Sequence, residues 1–161
     1  MKNIKEKNQE ELEQTGQVEQ ISAEVLDHMM NPRNYKTMED ADGVGMAVDN
    51  KTGEFAIVYI KVEDENLEDI SFGINACQDT LVAGSLFTEM IKKDSIENGL
   101  KAMKIMDEKL LQAPKKQRVC SLIILEAFKA SVQNYKNRQN GIDEEHFQID
   151  LRDSCEGVNL G

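Results

Sequence analysis

The sequence lacks most of what would mark a membrane, secreted or nucleic-acid-binding protein. No apolar run approaches the roughly 20 residues that a bilayer-crossing helix needs. The opening stretch from Met1 to Gly16 is Lys, Glu, Gln and Asn, without the apolar centre of a secretory signal. A cytoplasmic location is therefore expected. Cysteine occurs only three times in 161 residues, at wide and unequal gaps. An odd, scattered set does not make a disulfide framework, and in a reducing compartment such residues are thiols, metal ligands or small buried hydrophobes. Basic residues are outnumbered, 19 against 30 acidic, for a formal charge of -11. That field repels phosphate backbones and anionic lipid, so neither nucleic acid nor a membrane is an expected partner. It attracts a cationic protein patch or a metal cation, and it also serves as a solubilising coat. There is no internal repeat and no low-complexity tract.

What is present suits one hydrophobic core with polar ends, at an apolar fraction of 40%. Residues 1–20 can bury too little to offset the entropy of ordering them and read as a mobile polar tail. Residues 139–161 read as an acidic C-terminal extension, leaving one domain over 21–138. Within it, Val25, Leu26, Met29 and Met30 recur at helical spacing with Ser22 as N-cap. Asn31-Pro32 ends that helix, because the proline ring disfavours helical geometry in the residue before it. Three strand-like stretches follow: Val44, Met46 and Val48 alternating with Gly45 and Ala47, the β-branched and aromatic run Phe55 to Val62, and Ile70, Phe72 and Ile74 alternating with Ser71 and Gly73. Short turns between them favour an antiparallel meander.

The rest is helical. Leu81, Val82, Leu86, Met90 and Ile91 form one apolar face, and Ser95 opens a shorter helix bearing Ile96, Leu100 and Met103. After Pro114, Val119 to Val132 is apolar on nearly all sides, the pattern of a helix buried mid-domain. The fold class expected is α+β, a three-stranded antiparallel sheet with helices packed on one face.

Two cysteines stand near helix starts. Cys77 precedes a helix for which Asp79 and Thr80 are capping candidates, and Cys120 reads as lying in the first turn of the long helix. Unpaired amides at a helix N-terminus favour thiolate, the form that binds metal or attacks sulfur. Each cysteine has an equally simple reading as a packing residue.

The residues from Val25-Leu26-Asp27-His28 through Asn31-Pro32-Arg33-Asn34 resemble the opening motif of the IscU/NifU N-terminal scaffold family. So do Gly45-Met46 through Val62, the stretch from Phe72 through Cys77 to Glu89, and Val119-Cys120-Ser121-Leu122 with Glu126-Ala127. The resemblance is continuous from about Ile21 to Arg138. It implies a SufE/NifU-like fold and a labile 2Fe-2S cluster, iron, or zinc held by cysteines and a carboxylate. Carried over, the family's second and third cysteines are Cys77 and Cys120. Its first cysteine and the following aspartate fall on Thr52-Gly53-Glu54, so a hydroxyl replaces a thiolate and glutamate replaces aspartate. The histidine before the third cysteine becomes Val119. The ligand set so implied is Cys77, Cys120 and Glu54. Two thiolates and a carboxylate leave a first shell incomplete, and Cys155 is a candidate fourth ligand beside its reading as a surface thiol. His28 reads as a hydrogen-bonding group and His146 as a solvated residue.

The partners implied are a cysteine desulfurase and iron-sulfur acceptor proteins. The segment by which some members bind a dedicated Hsp70 chaperone falls on Ala113-Pro114-Lys115-Lys116-Gln117 and keeps little beyond one proline, so that contact is not expected here. The function implied is an iron-sulfur assembly scaffold or carrier, not a turnover enzyme. Two alternatives stay open: an adaptor of the same machinery that has lost metal binding, and a thiol or persulfide switch using Cys77 and Cys120.

Overall fold

The computed structural model describes residues 23–151. The expected N-cap Ser22, the N-terminal tail and Cys155 lie outside the described residues. The alternating stretches form β1 (Gly43–Val48), β2 (Phe55–Glu63) and β3 (Asn66–Asn75), a meander of antiparallel neighbours. The expectation of a three-stranded antiparallel sheet is corrected by a fourth strand. β4 (Phe147–Asp150) pairs with the free side of β1 and runs parallel to it, in the order β3-β2-β1-β4. The sheet is therefore mixed, and part of the stretch read as a polar extension belongs to it.

The physical reason lies before the strand. Asn134, fully buried, accepts from the Val44 amide at 2.9 Å and donates to the Glu144 carboxylate at 3.1 Å. Asn137 donates to the same carboxylate at 2.8 Å, and the Arg138 guanidinium reaches the carbonyls of Ala41 and Glu144, both at 3.1 Å. The loop before β4 is thus tied to a helix, and four residues with only Phe147 and Ile149 as apolar members are delivered beside β1.

Residues 23–30 form α1, followed later by α2 (Gln78–Ile91), α3 (Ile96–Leu110) and α4 (Lys115–Gln139). Ser95 caps α3 as expected, accepting from the Asn98 amide at 3.0 Å. α4 lies across β1 and β2 with α2 and α3 beside it, which explains why it is apolar over most of its circumference; Lys129, Gln133 and Lys136 mark the stripe left to solvent. The approach to β1 is close. A Cβ on Gly45 would fall 2.0 Å from the Ser131 amide nitrogen and 2.3 Å from the Ala127 carbonyl oxygen. Gly43, Gly45 and Ala47 face the helix, while Val44, Met46 and Val48 lie half-buried on the opposite face of the sheet.

Of the apolar face expected for α2, Val82 and Ile91 are buried and Leu81 packs against the core, but Met90 does not join them and the inward side is wider than expected. Met90 is 53% exposed, whereas Gly84, Ser85, Phe87 and Thr88 are buried. Gly84 permits this, since a Cβ there would meet the Phe72 ring at 2.5 Å. The largest side chains then close the core: Phe87 packs edge-on against Phe128 with ring centroids 5.3 Å apart, and Phe72 lies against Gly84.

Candidate metal centre

The loop between β1 and β2 is fixed by its own hydrogen bonds. The Asp49 carboxylate accepts from the amides of Lys51 at 3.0 Å and Thr52 at 3.3 Å. The Asp49 amide donates to the Glu54 carbonyl and the Gly53 amide to the Asp49 carbonyl, both at 2.8 Å. Gly53 takes φ +79°, a left-handed geometry that a residue with a Cβ adopts only at a cost. This tight closure presents Glu54 at the end of the sheet. Register places Phe55, the next residue, opposite Asn75 at the end of β3, and Cys77 follows two residues later.

Cys77 is the N-cap residue of α2, in extended geometry, and no side chain caps that helix end. Neither Asp79 nor Thr80 caps it, because the Thr80 hydroxyl is used elsewhere. It donates to the Cys120 carbonyl at 2.8 Å and lies 3.5 Å from the Cys77 sulfur. A threonine hydroxyl has one proton. With that proton on the Cys120 carbonyl, the Cys77 thiol is the donor in its contact with Thr80. One buried threonine thereby ties both cysteines together. Sequence reasoning missed this role, although the spacing of three residues, one helical turn, signals that Cys77 and Thr80 share a face.

Cys120 is buried, at 1% exposure. It stands in the second turn of α4, which starts at Lys115, and not in the first as expected. Its position rests on packing in the core rather than on the amides of the helix end. Val119 is buried beside it. Pro114 is the N-cap of α4, and Lys115 to Gln117 form its exposed first turn.

The structure brings Glu54, Cys77 and Cys120 together: one carboxylate oxygen and the two sulfurs all lie within 4.8 Å of one another. Neither Cys77 nor Cys120 is in a disulfide. The oxygen Oε2 of Glu54 is shielded from solvent and has no hydrogen-bond partner. A buried carboxylate oxygen without a donor is costly unless a cation meets it. Two soft sulfur donors beside it suit iron or zinc, so the residues present fit such an ion. A pocket of about 290 Å³, lined by Thr52, Glu54 and Cys77 among others, opens the centre to solvent. Thr52 is exposed, and its hydroxyl accepts from the Glu54 amide at 3.2 Å, where it steadies the loop. His28 does not belong to the centre: it is 4% exposed, with Nδ1 2.6 Å from the Ser85 hydroxyl. His146 is exposed in the loop before β4.

An α+β domain that gathers two sulfur donors and a carboxylate at the loop end of its sheet has the form of a small scaffold domain. The chain belongs to the family described as NifU-like N terminal domain, which it matches over residues 20–141. It is 36% identical over 124 residues to the iron-sulfur cluster assembly scaffold protein IscU 1 of Archaeoglobus fulgidus, covering 76% of this chain and 81% of that one. It is 32% identical over 124 residues to the IscU scaffold protein of Escherichia coli, covering 73% and 95% respectively. Among solved structures, the N-terminal part of a NifU-like protein from Brucella abortus superposes with a TM-score of 0.56 at 15% identity, covering 74% of this chain and 94% of that one. The last likeness concerns the fold alone. Among the described residues no helix is long and apolar enough to cross a membrane.

Proposed function

We propose that this protein is a cytoplasmic iron-sulfur cluster scaffold or carrier that holds iron or a 2Fe-2S cluster through Cys77, Cys120 and Glu54, with zinc as an alternative occupant. Sulfur would come from a partner cysteine desulfurase. The thiolate of Cys77, half-exposed beside the open pocket, attacks the terminal sulfur of the desulfurase persulfide. The Cys77 persulfide forms and the desulfurase thiolate leaves. An external electron donor supplies the two electrons that release each persulfide sulfur as sulfide to iron, leaving the Cys77 thiolate; the cluster then passes to an acceptor protein, so the role is one of holding and transfer rather than turnover. Support comes from the relatives, which are named as scaffolds of this kind.

The single observation that carries the reading is the convergence of the Glu54 carboxylate, with its unpartnered buried oxygen, on the two sulfurs. A thiol switch is the second reading, favoured by the proximity of the sulfurs. It gives the carboxylate nothing to do, and for that reason it ranks below metal binding.

Anaerobic reconstitution of the full chain with ferrous iron and sulfide tests the proposal. Iron and sulfide should be retained with a visible charge-transfer spectrum, and Cys77→Ser or Cys120→Ser should abolish both. A chain that retains neither iron nor zinc under reducing, anaerobic conditions overturns the scaffold reading in favour of the adaptor. Reversible formation of a Cys77–Cys120 disulfide without any metal retention would instead support the switch.

A further inference from the structure

Thr80 is fully buried in the first turn of α2, and its side chain does not take the course usual for a helical threonine. Thr88, in the same helix, bonds back to the Gly84 carbonyl at 2.7 Å, the local outlet that a hydroxyl finds inside a helix. Thr80 reaches out of α2 instead. Its hydroxyl donates to the carbonyl of Cys120, 40 positions on in α4, and its oxygen stands 3.5 Å from the Cys77 sulfur. The hydroxyl therefore lies between the two residues that supply the sulfurs of the centre.

In the metal-free protein the donors run one way, from the Cys77 thiol to Thr80 and from Thr80 to the Cys120 carbonyl. A thiol that becomes a metal ligand gives its proton to solvent, which the pocket beside Cys77 admits. The sulfur is then an acceptor only. With the Thr80 proton still on the carbonyl, two electron-rich atoms would face each other with no proton between them. Rotation of the hydroxyl about its C–O bond removes the conflict, because it carries the proton to the sulfur and moves no heavy atom. A hydrogen bond between neutral groups is given up, and one to a charged sulfur, a kind roughly twice as strong, is gained. Cys120 lies inside α4, so its carbonyl keeps the helical bond from the amide four residues on.

We infer that Thr80 is a positioning residue of the centre: its hydroxyl turns from the Cys120 carbonyl to the Cys77 sulfur when that sulfur becomes a ligand, and there it draws electron density out of the metal–sulfur bond. This rests on the metal-binding reading above. Hydrogen bonds to the ligand sulfurs are among the factors that set the potential of an iron-sulfur centre. A sulfur so held donates less strongly, which suits a half-exposed ligand at the mouth of the pocket that has to give its cargo up.

Cobalt(II) in place of zinc gives the full chain a visible reporter of the loaded state. Loss of the hydroxyl in Thr80→Val should move the thiolate-to-cobalt charge-transfer band to longer wavelength, and Thr80→Ser, which keeps the hydroxyl, should hold the wild-type position. In the metal-free protein the Cys77 S–H stretch, assigned by its loss in Cys77→Ser, should lie at a hydrogen-bonded frequency and rise in Thr80→Val. A purely structural threonine would lower the urea midpoint of Thr80→Val and leave the cobalt band in place; that result overturns the inference and leaves the scaffold reading intact. So does a band in Thr80→Ser displaced as far as that in Thr80→Val. Should Thr80→Val not fold, the wild type decides: a Cys77 S–H stretch at the frequency of a free thiol overturns the inference. A wild type that takes up neither cobalt nor zinc under reducing, anaerobic conditions overturns the scaffold reading and this inference with it.

Discussion

His28 and Ser85, 57 positions apart, meet in the interior with Nδ1 of the imidazole 2.6 Å from the hydroxyl oxygen. The Arg33 amide donates to the same oxygen at 2.8 Å, and Nε2 of His28 faces the Glu89 carboxylate at 3.6 Å. A serine, a histidine and a carboxylate in line resemble a nucleophilic triad. Ser85 is fully buried, however, and its oxygen is already an acceptor, so the group is a fastening. It fixes α1 and the turn after it to α2. Asn34 completes the attachment: its side-chain amide donates to the Thr88 hydroxyl at 3.0 Å and its carbonyl accepts from the Phe72 amide at 2.9 Å. His28→Ala should lower unfolding stability by about 1–3 kcal/mol by leaving buried polar groups without a partner. Ser85→Ala should cost a similar amount, and the double variant less than the two combined. Strict additivity in urea titrations would show that the two side chains are not coupled.

Gly45 carries the contact between β1 and α4. The atoms that a new Cβ would strike are backbone atoms of Ala127 and Ser131, which no side-chain rotation can move aside. Gly45→Ala is expected to destabilise the domain by about 3 kcal/mol. Gly73→Ala, with nothing within 4 Å of the added carbon, serves as the control and should change the urea midpoint little. Equal midpoints for the two variants would contradict the packing described.

Glu144 links the last loop to the domain in a pH-dependent way. Hydrogen bonds from Asn137 and then Asn134 hold its carboxyl below the usual carboxylate range, with Arg138 adding to the effect. A group whose folded value is depressed contributes stability above its unfolded value, and that contribution is lost as pH falls through the folded value. Mild acid should therefore loosen the loop before β4 first, read as faster amide exchange over 141–150. In Glu144→Gln that acid dependence should flatten. An identical acid response in the two proteins would remove Glu144 as its source.

Thr52→Cys would add a third sulfur to the pocket that Glu54 and Cys77 already line. Because the Glu54 oxygen lies within 4.8 Å of both sulfurs, no shortening to aspartate is needed. Retention of zinc against a chelator should rise roughly tenfold or more. No gain would mean that the site already has its full donor set.

The meander, the cap at Ser95 and the buried long helix were legible because each rests on local spacing and side-chain type. The meeting of Glu54, Cys77 and Cys120 was legible only through family resemblance; nothing in their spacing joins a hairpin loop to two helices. β4 was hidden because Phe147 and Ile149 are two apolar residues in a polar stretch, and what holds them is Asn134 gripping a loop ten residues on. The inward face of α2 was legible at Val82 and Ile91 but its extension was not: Gly84 and Ser85 add little to an apolar pattern, yet close approach to Phe72 and His28 requires residues that small.

The parallel pairing of β4 with β1 also dictates an order of events during synthesis. The two strands are about a hundred residues apart in the chain, so at roughly 5–20 residues per second the outer edge of β1 waits on the order of ten seconds for its neighbour. During that interval Val44, Met46 and Val48 sit on a strand with one unpaired side, an open template for another nascent chain. The three proposed donors, Glu54, Cys77 and Cys120, are already translated by then. A ribosome pausing before Phe147 would therefore hold a chain that has Glu54, Cys77 and Cys120 and an unprotected edge at once.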